Sequence, residues 1–314
     1  MKKIIVDTDP GIDDAIALCY ALNHPQLEVL ALTTIYGNVA VDLATQNALR
    51  LVELNASEST GVAVPVATGS STPLKITPNP VADFVHGANG FGGIQLPEPS
   101  LQAASQSAAE LIVDLIHQYP GEITLVAVGP LSNIALALEL SPEIATLTKE
   151  VVVMGGAFHR EGNVTPHAEA NIWNDPHAAK QVFTADWPLT VHGLDVTYQI
   201  SFSPAYLDQL AEKSDKVGTF LRDAAKFYIK FYKEQHNFDG CCPHDQLALS
   251  YITHPEWFTL ESGSLDVVTD GEPIGKTTIE TTNSNTTVNN KRIATAVNRE
   301  ALLKEYAAIL SKAV

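Results

Sequence analysis

Short apolar runs at Lys3–Asp7, Val29–Thr33, Ile123–Val128, Glu150–Met154 and Leu189–His192 alternate with segments of helical period. The helical segments are Asp13–Leu22, Val41–Leu54, Ser105–His117, Leu131–Leu140 and Pro176–Phe183. Strands and helices alternating at this spacing build βαβ units, so an α/β fold on a mainly parallel sheet flanked by helices is expected. In such sheets ligands bind beyond the carboxyl ends of the strands. After Ser203 the pattern turns helical, at about Pro204–Lys213, Asp215–Gln235 and His244–Ile252. A β-rich stretch, Leu265–Val297, follows with turn signals at Asp270-Gly271 and Asn289-Asn290, and a closing helix is expected near Arg299–Lys312. Thr68–Pro99 is rich in Pro, Gly and Asn, and a loop of that length inside a compact fold is usually functional or disordered. No repeat or linker divides the chain, so residues 1–314 are expected to form a single domain.

The segment Asp7-Thr8-Asp9-Pro10-Gly11-Ile12-Asp13-Asp14 packs four carboxylates between an apolar strand and an apolar-periodic helix. Asp7 and Asp9 share a face if the strand reaches that far. Asp13 and Asp14 fall in the first helical turn, where the helix dipole favours anions. Neighbouring helical residues diverge by about 100°, so one of that pair can serve a cation while the other faces a substrate hydroxyl. A helix cap needs one such residue, not four. A hard divalent cation with oxygen ligands would relieve their repulsion, and the cluster is read as a metal or substrate site, with Asp7 alone structural.

The charge balance narrows the partners. Nineteen Lys and Arg stand against 36 Asp and Glu, a net charge of −17. Such a chain repels phosphate, so nucleic acid and anionic membrane surfaces are excluded as general electrostatic partners, while neutral small molecules and divalent cations are not. Cys19, Cys241 and Cys242 form neither a disulfide framework nor a zinc motif. No run approaches the roughly 18 apolar residues of a membrane span, and only Ile4, Ile5 and Val6 precede Asp7, too few for a signal peptide. A cytoplasmic protein is expected.

With these blocks in view, DTDPGIDDA resembles the signature of the nucleoside hydrolases, the inosine–uridine-preferring N-ribohydrolases. The likeness continues through TTIYGNV (Thr33–Val39), VHGANGFGG (Val85–Gly93), LVAVGPLSNIALAL (Leu125–Leu138), VVMGGAFHREGNVTPHAEANIWNDP (Val152–Pro176), HGLDVT (His192–Thr197) and PHDQLAL (Pro243–Leu249). In pattern it is similar to the bacterial group that accepts both purine and pyrimidine ribonucleosides. The resemblance implies a calcium ion at the bottom of the pocket, bound by Asp9, Asp14, Asp245 and the backbone carbonyl of Val128. It makes Asp9 the general base and His244 the residue that activates the leaving base. Asp13, Asn38, Met154, Asn163, Glu169 and Asn171 match positions that hold the ribose, and His86 lies in a loop near the base. It further implies small-molecule ribonucleoside substrates and a homo-oligomer, dimer or tetramer.

The chemistry suits these residue types. Cleaving an N-glycosidic bond develops positive charge on the ribose and negative charge on the departing base, as in glycoside hydrolysis. A carboxylate can take the proton of the attacking water, and an imidazole can serve the base. The run Phe227, Tyr228, Phe231, Tyr232 has core-packing spacing, yet a nucleobase pocket also needs aromatic walls, and Tyr228 is the first candidate to line it. His159, His167, His177 and His192 are assigned no function. Two other readings compete. Asp7-Thr8-Asp9 imitates the nucleophile motif of haloacid-dehalogenase-like phosphohydrolases, but no convincing phosphate loop accompanies it. A non-catalytic nucleoside-binding protein on the same fold could dispense with Asp9 or His244, and both are present.

Overall fold

The computed structural model describes residues 1–56, 64–280 and 291–311. Its first half runs β1 (Lys2–Thr8), α1 (Ile12–Asn23), β2 (Leu27–Thr34), α2 (Val41–Leu54), β3 (Val66–Thr68), α3 (Asp83–His86), α4 (Ala108–Gln118), β4 (Thr124–Ala127), α5 (Ser132–Leu140), α6 (Ile144–Leu147) and β5 (Glu150–Met154). Then come α7 (Ala170–Asn174), α8 (Pro176–Thr184), β6 (Leu189–His192), α9 (Leu194–Thr197), α10 (Pro204–Lys213), α11 (Asp215–His236) and α12 (Gln246–Thr253). The chain closes with β7 (Phe258–Ser262), β8 (Ser264–Val267), β9 (Thr277–Glu280), β10 (Lys291–Val297) and α13 (Arg299–Leu310).

Eight strands form one sheet in the order β3-β2-β1-β4-β5-β6-β10-β7, and β8 pairs with β9 in a separate antiparallel ribbon. Every neighbouring pair in the large sheet is parallel except β10–β7. The expected mainly parallel α/β fold is therefore present. The central strands read as unbroken apolar runs because both faces are covered. Ile4 and Val6 of β1 enter the core made with α1, α2, α11, α12 and α13, whereas Ile5 joins Leu125 and Ala127 in the core beneath α4, α5 and α8.

The strand order reverses between β1 and β4: the chain builds outward from β1 to β2 and β3, then returns to lay β4 on the other side of β1. That reversal opens a crevice at the carboxyl ends of the two strands. Asp9 follows β1 and Val128 follows β4, so both stand at its mouth.

Several boundaries differ from the sequence expectation for local reasons. Helix α4 starts three residues late because Ser107 caps it: its hydroxyl accepts from the Glu110 backbone N–H while Glu110 accepts from the Ser107 N–H. Helix α12 starts at Gln246, leaving His244 and Asp245 in the preceding turn, where the His244 N–H bonds the Cys242 carbonyl at 3.0 Å. Strands β3 and β7 were not anticipated; β3 has three residues, too few to show a period. Gly271 turns as expected, with φ 70°. The Asn289-Asn290 turn signal and Lys312 lie outside the described residues.

Candidate active site

Strand β1 ends at Thr8, so Asp9 leaves the sheet and does not continue the face of Asp7. Asp7 is a strut within the fold: its Oδ1 accepts from Thr33 Oγ1 and from Asn133 Nδ2 at 2.8 Å, tying β1 to β2 and α5. Like Asp9 and Asp14 it does not line the cavity described below, and its contacts to Thr33 and Asn133 lie within the fold.

Asp14 accepts four hydrogen bonds. Its Oδ1 takes Thr8 Oγ1 and the Asp9 N–H, and its Oδ2 takes the Gly11 N–H and Asn38 Nδ2, each at 3.0 Å. It therefore caps α1 and also belongs to the carboxylate cluster. Asp9 is held by one oxygen only: Oδ2 accepts the Asn38 N–H at 2.7 Å, while buried Oδ1 has no hydrogen-bond partner. Two glycines make room for it. A Cβ on Gly37 would stand 2.0 Å from Asp9 Oδ2, and one on Gly129 2.5 Å from Oδ1. These glycines come from the TTIYGNV and AVGPLSN blocks, which explains their composition next to the first.

Asp13, Asp14 and Asp245 each offer one carboxylate oxygen, and the three atoms lie within 4.8 Å of one another. All are buried, as is Asp9. Burial pushes the carboxyls of Asp9 and Asp245 well above the usual range, and the neighbouring carboxylates add to the rise. Burial likewise raises Asp13 and Asp14. Asp13 Oδ1, like Asp9 Oδ1, is buried without a hydrogen bond. Unpartnered carboxylate oxygens in a dry cluster fit a hard divalent cation with oxygen ligands. The tight triad includes Asp13, which the sequence reading places on the sugar, while Asp9 stands beside the triad with its free oxygen.

A cavity of about 230 Å³ opens above the cluster. Asp13, Asn38, His86, Val128, Met154, Asn163, Glu169, Asn171, Tyr228, His244 and Asp245 all border it; of the sequence-derived candidates Asp9 and Asp14 do not, and lie behind Asn38, to which both are hydrogen-bonded. Asn171 Nδ2 bonds the carbonyls of Val128 (3.0 Å) and Met154 (3.1 Å), linking the ends of β4 and β5. Glu169 caps α7 by accepting the N–H groups of Asn171 and Ile172, and it also accepts from Gly156 at 2.9 Å. Burial raises its carboxyl to about 7. Asn163 is exposed at the rim, with Oδ1 accepting the Ala170 N–H. These side chains use part of their capacity on the backbone and still face the cavity.

The other wall is aromatic and comes from α11. Tyr228, Phe231 and Tyr232 line the cavity, whereas Phe227 packs against the core. Tyr232 Oη lies 2.8 Å from His244 Nε2 and 3.5 Å from Tyr228 Oη, which in turn reaches Asp13 Oδ2 at 3.4 Å. His244 Nδ1 is 2.7 Å from Thr197 Oγ1, and the ring of Tyr198 meets the imidazole edge-on at 5.1 Å. Burial lowers His244 to about 3, so the ring is a neutral imidazole with hydroxyl partners on both nitrogens.

His86 ends the short helix α3, buried against Tyr228 with ring centroids 5.3 Å apart. Its Nδ1 accepts the Ile12 N–H at 3.2 Å, and burial lowers it to about 4, which puts the ring proton on Nε2. His192 is buried but outside the cavity, against Tyr251 and Phe258. Thr197, Tyr198, Phe84, Val164 and His236 also border or support the site and were not singled out in the sequence. Their sequence signals are indirect: Thr197 ends the HGLDVT block and Tyr198 follows it, Val164 lies within the Val152–Pro176 block, and Phe84 precedes VHGANGFGG.

Comparison with known proteins bears on this constellation. The family model described as inosine-uridine preferring nucleoside hydrolase matches residues 4–304. A probable uridine nucleosidase 1 of Oryza sativa subsp. japonica is 42% identical over 278 residues, 88% of this chain and 85% of that one. Among solved structures, the plant nucleoside hydrolase PpNRh1 superposes with a TM-score of 0.93 at 37% identity, covering 99% of both chains. A purine-preferring ribonucleoside hydrolase from Gardnerella vaginalis gives 0.93 at 34%, covering 99% of this chain and 98% of that one. A match spanning both the carboxylate turn and the helix that carries the aromatic wall leaves one conclusion: the chain belongs to the inosine-uridine preferring nucleoside hydrolase family.

Proposed function

We propose that the chain is a calcium-dependent ribonucleoside N-ribohydrolase, which adds water across the N-glycosidic bond of purine and pyrimidine ribonucleosides to give free base and ribose. The observation that carries this reading is the buried triad of Asp13, Asp14 and Asp245, whose Asp13 and Asp245 border the same cavity as the His244–Tyr232–Tyr228 line. Relatives named for uridine and for purines support both base classes.

Asp9, Asp14, Asp245 and the Val128 carbonyl would hold the calcium ion, with Asp13 close enough to share it. When bound, the ion supplies positive charge for ribose hydroxyls and acidifies the attacking water. Asp9 is built to take that proton, since Asn38 fixes Oδ2 and leaves Oδ1 free. The ribose lies against Asp13, Asn38, Met154, Asn163, Glu169 and Asn171, whose carboxylates and amides can meet several hydroxyls at once. As the C1′–N bond breaks, the base gains a proton along His244, Tyr232 and Tyr228, whose hydroxyls and ring nitrogens form a continuous line into the cavity, and the proton released from the attacking water makes good that loss when the site resets. His86 is the second imidazole at that end and offers Nε2–H as a donor.

The same reading makes the chain one domain and a dimer or tetramer, as the family resemblance implies, and we propose a cytoplasmic location. No helix among the described residues is long and apolar enough to cross a membrane. The test is product analysis: uridine and inosine with calcium and no phosphate should yield base and free ribose in equal amounts. Ribose 1-phosphate formed only when phosphate is added would make the chain a phosphorylase and overturn the reading.

A further inference from the structure

Arg160 is exposed in the segment between β5 and α7, and its guanidinium is engaged by α9. The guanidinium carbon lies 4.1 Å from the centre of the Tyr198 ring, and Nη1 donates to the Leu194 carbonyl at 3.2 Å. Leu194 opens α9 and Tyr198 immediately follows it, so one side chain spans the whole helix. The neighbouring backbone is fastened to the same helix: Asp195 accepts the N–H groups of Phe158 (2.9 Å) and His159 (2.7 Å). The far end of α9 holds His244 through two successive residues. Thr197 Oγ1 lies 2.7 Å from Nδ1, and the Tyr198 ring stands at 87° to the imidazole with centroids 5.1 Å apart.

A cation over an aromatic face is attracted by the ring quadrupole, so Arg160 fixes the plane of Tyr198, and Tyr198 limits how His244 can tilt. His244 must hold one orientation for Nε2 to meet Tyr232 Oη at 2.8 Å. We propose that Arg160 is a positioning residue for leaving-group protonation: it braces Leu194–Tyr198 so that His244 stays aimed at Tyr232. Arg160 lies outside the cavity lining and in this role acts through α9. The inference rests on the reading that the His244–Tyr232–Tyr228 line protonates the departing base.

Two substrates separate that role from a general effect on folding. Inosine releases a base that needs a proton, whereas p-nitrophenyl β-D-ribofuranoside releases a phenolate that is stable without one. With the full-length protein and added calcium, R160A should lower kcat on inosine by about 10-fold, a fraction of what proton transfer contributes. The nitrophenyl riboside should change by no more than about 2-fold, with KM for both nearly unchanged. R160K, which keeps a cation over the ring, should recover part of the loss, and R160M, which keeps the stem alone, should not. Equal losses on both substrates, no loss on inosine, or wild-type activity in R160M would each overturn the proposal. A wild-type protein that hydrolyses the nitrophenyl riboside but no nucleoside would instead refute the reading of the proton line, and the proposal with it.

Discussion

Tyr232 Oη stands 2.8 Å from His244 Nε2, and this contact joins a helix assembled from residues 215–236 to a turn that carries the cluster residue Asp245. With Thr197 on the other ring nitrogen, His244 has no freedom to rotate without losing a buried hydrogen bond.

Removing that hydroxyl tests the proton line. Y232F should lower kcat on inosine and uridine by about 100-fold with KM changed little, the lower end of what positioned proton transfer contributes. Y228F should cost less, because its hydroxyl contacts are longer, 3.4 and 3.5 Å. Steady-state kinetics of the two variants decide it; Y232F at wild-type kcat would remove Tyr232 from the line.

G129A should silence the enzyme without unfolding it. The new methyl would stand 2.5 Å from Asp9 Oδ1 and 2.7 Å from Ile35 Cγ2, so the carboxylate must leave its place and the Ile35 side chain must shift with it. A displacement of this order costs roughly 100-fold in rate. The check is ribose release alongside a thermal melt, and a variant with near-normal activity would show that the free oxygen of Asp9 is not the base.

Phosphorylated nucleotides should be poor substrates. Among the described residues no lysine or arginine borders the cavity, whereas Asp13, Glu169 and Asp245 do, so a 5′-phosphate would meet like charge. Uridine 5′-monophosphate should show kcat/KM at least about 100-fold below uridine, from like-charge repulsion of a few kcal/mol. Comparable values for the two compounds would contradict the assignment of those carboxylates to the sugar end.

Stability should fall as pH rises past neutrality in metal-free protein. Asp7 and Glu169 sit at about 7 when folded, and burial holds Asp9 and Asp245 well above the usual carboxylate range, against ordinary values of 3.8 and 4.5. The fold thus prefers these groups protonated, a stabilisation fully present below the unfolded values and lost as pH passes the folded ones. His86, lowered to about 4, and His192 and His244, lowered to about 3, carry the opposite sign, but their effect is complete above their ordinary 6.5. The melting temperature should therefore drop as pH rises from about 6.5 through 7, and less so with calcium, which favours the ionised cluster. A flat profile without metal would refute the burial argument.

Much of this was legible in the sequence where local rules and tertiary packing agree. Val41–Leu54 and Glu150–Met154 show the helix and strand observed, because both faces of the sheet are apolar and α2 has a single buried stripe. The carboxylate turn was legible because four acids in eight residues exceed any capping need. Other parts arise only from long-range packing. The Phe227–Tyr232 run has core spacing, and only the placement of α11 against His244 separates Tyr232 from Phe227. The grip of Thr197 and Tyr198 on His244 spans 47 positions for the Thr197 contact, and no local pattern marks it. Asp14 shows both assignments at once, as a cap of α1 and as a member of the acidic triad.

The central claim is that the buried carboxylates act through a bound divalent cation, and one measurement addresses it directly. Ribose release from uridine and inosine is followed before chelation, after exhaustive chelation and after calcium is restored. The account predicts near-complete loss on chelation and full recovery with calcium, with both absent in D14A. Undiminished turnover in the chelated protein would contradict it.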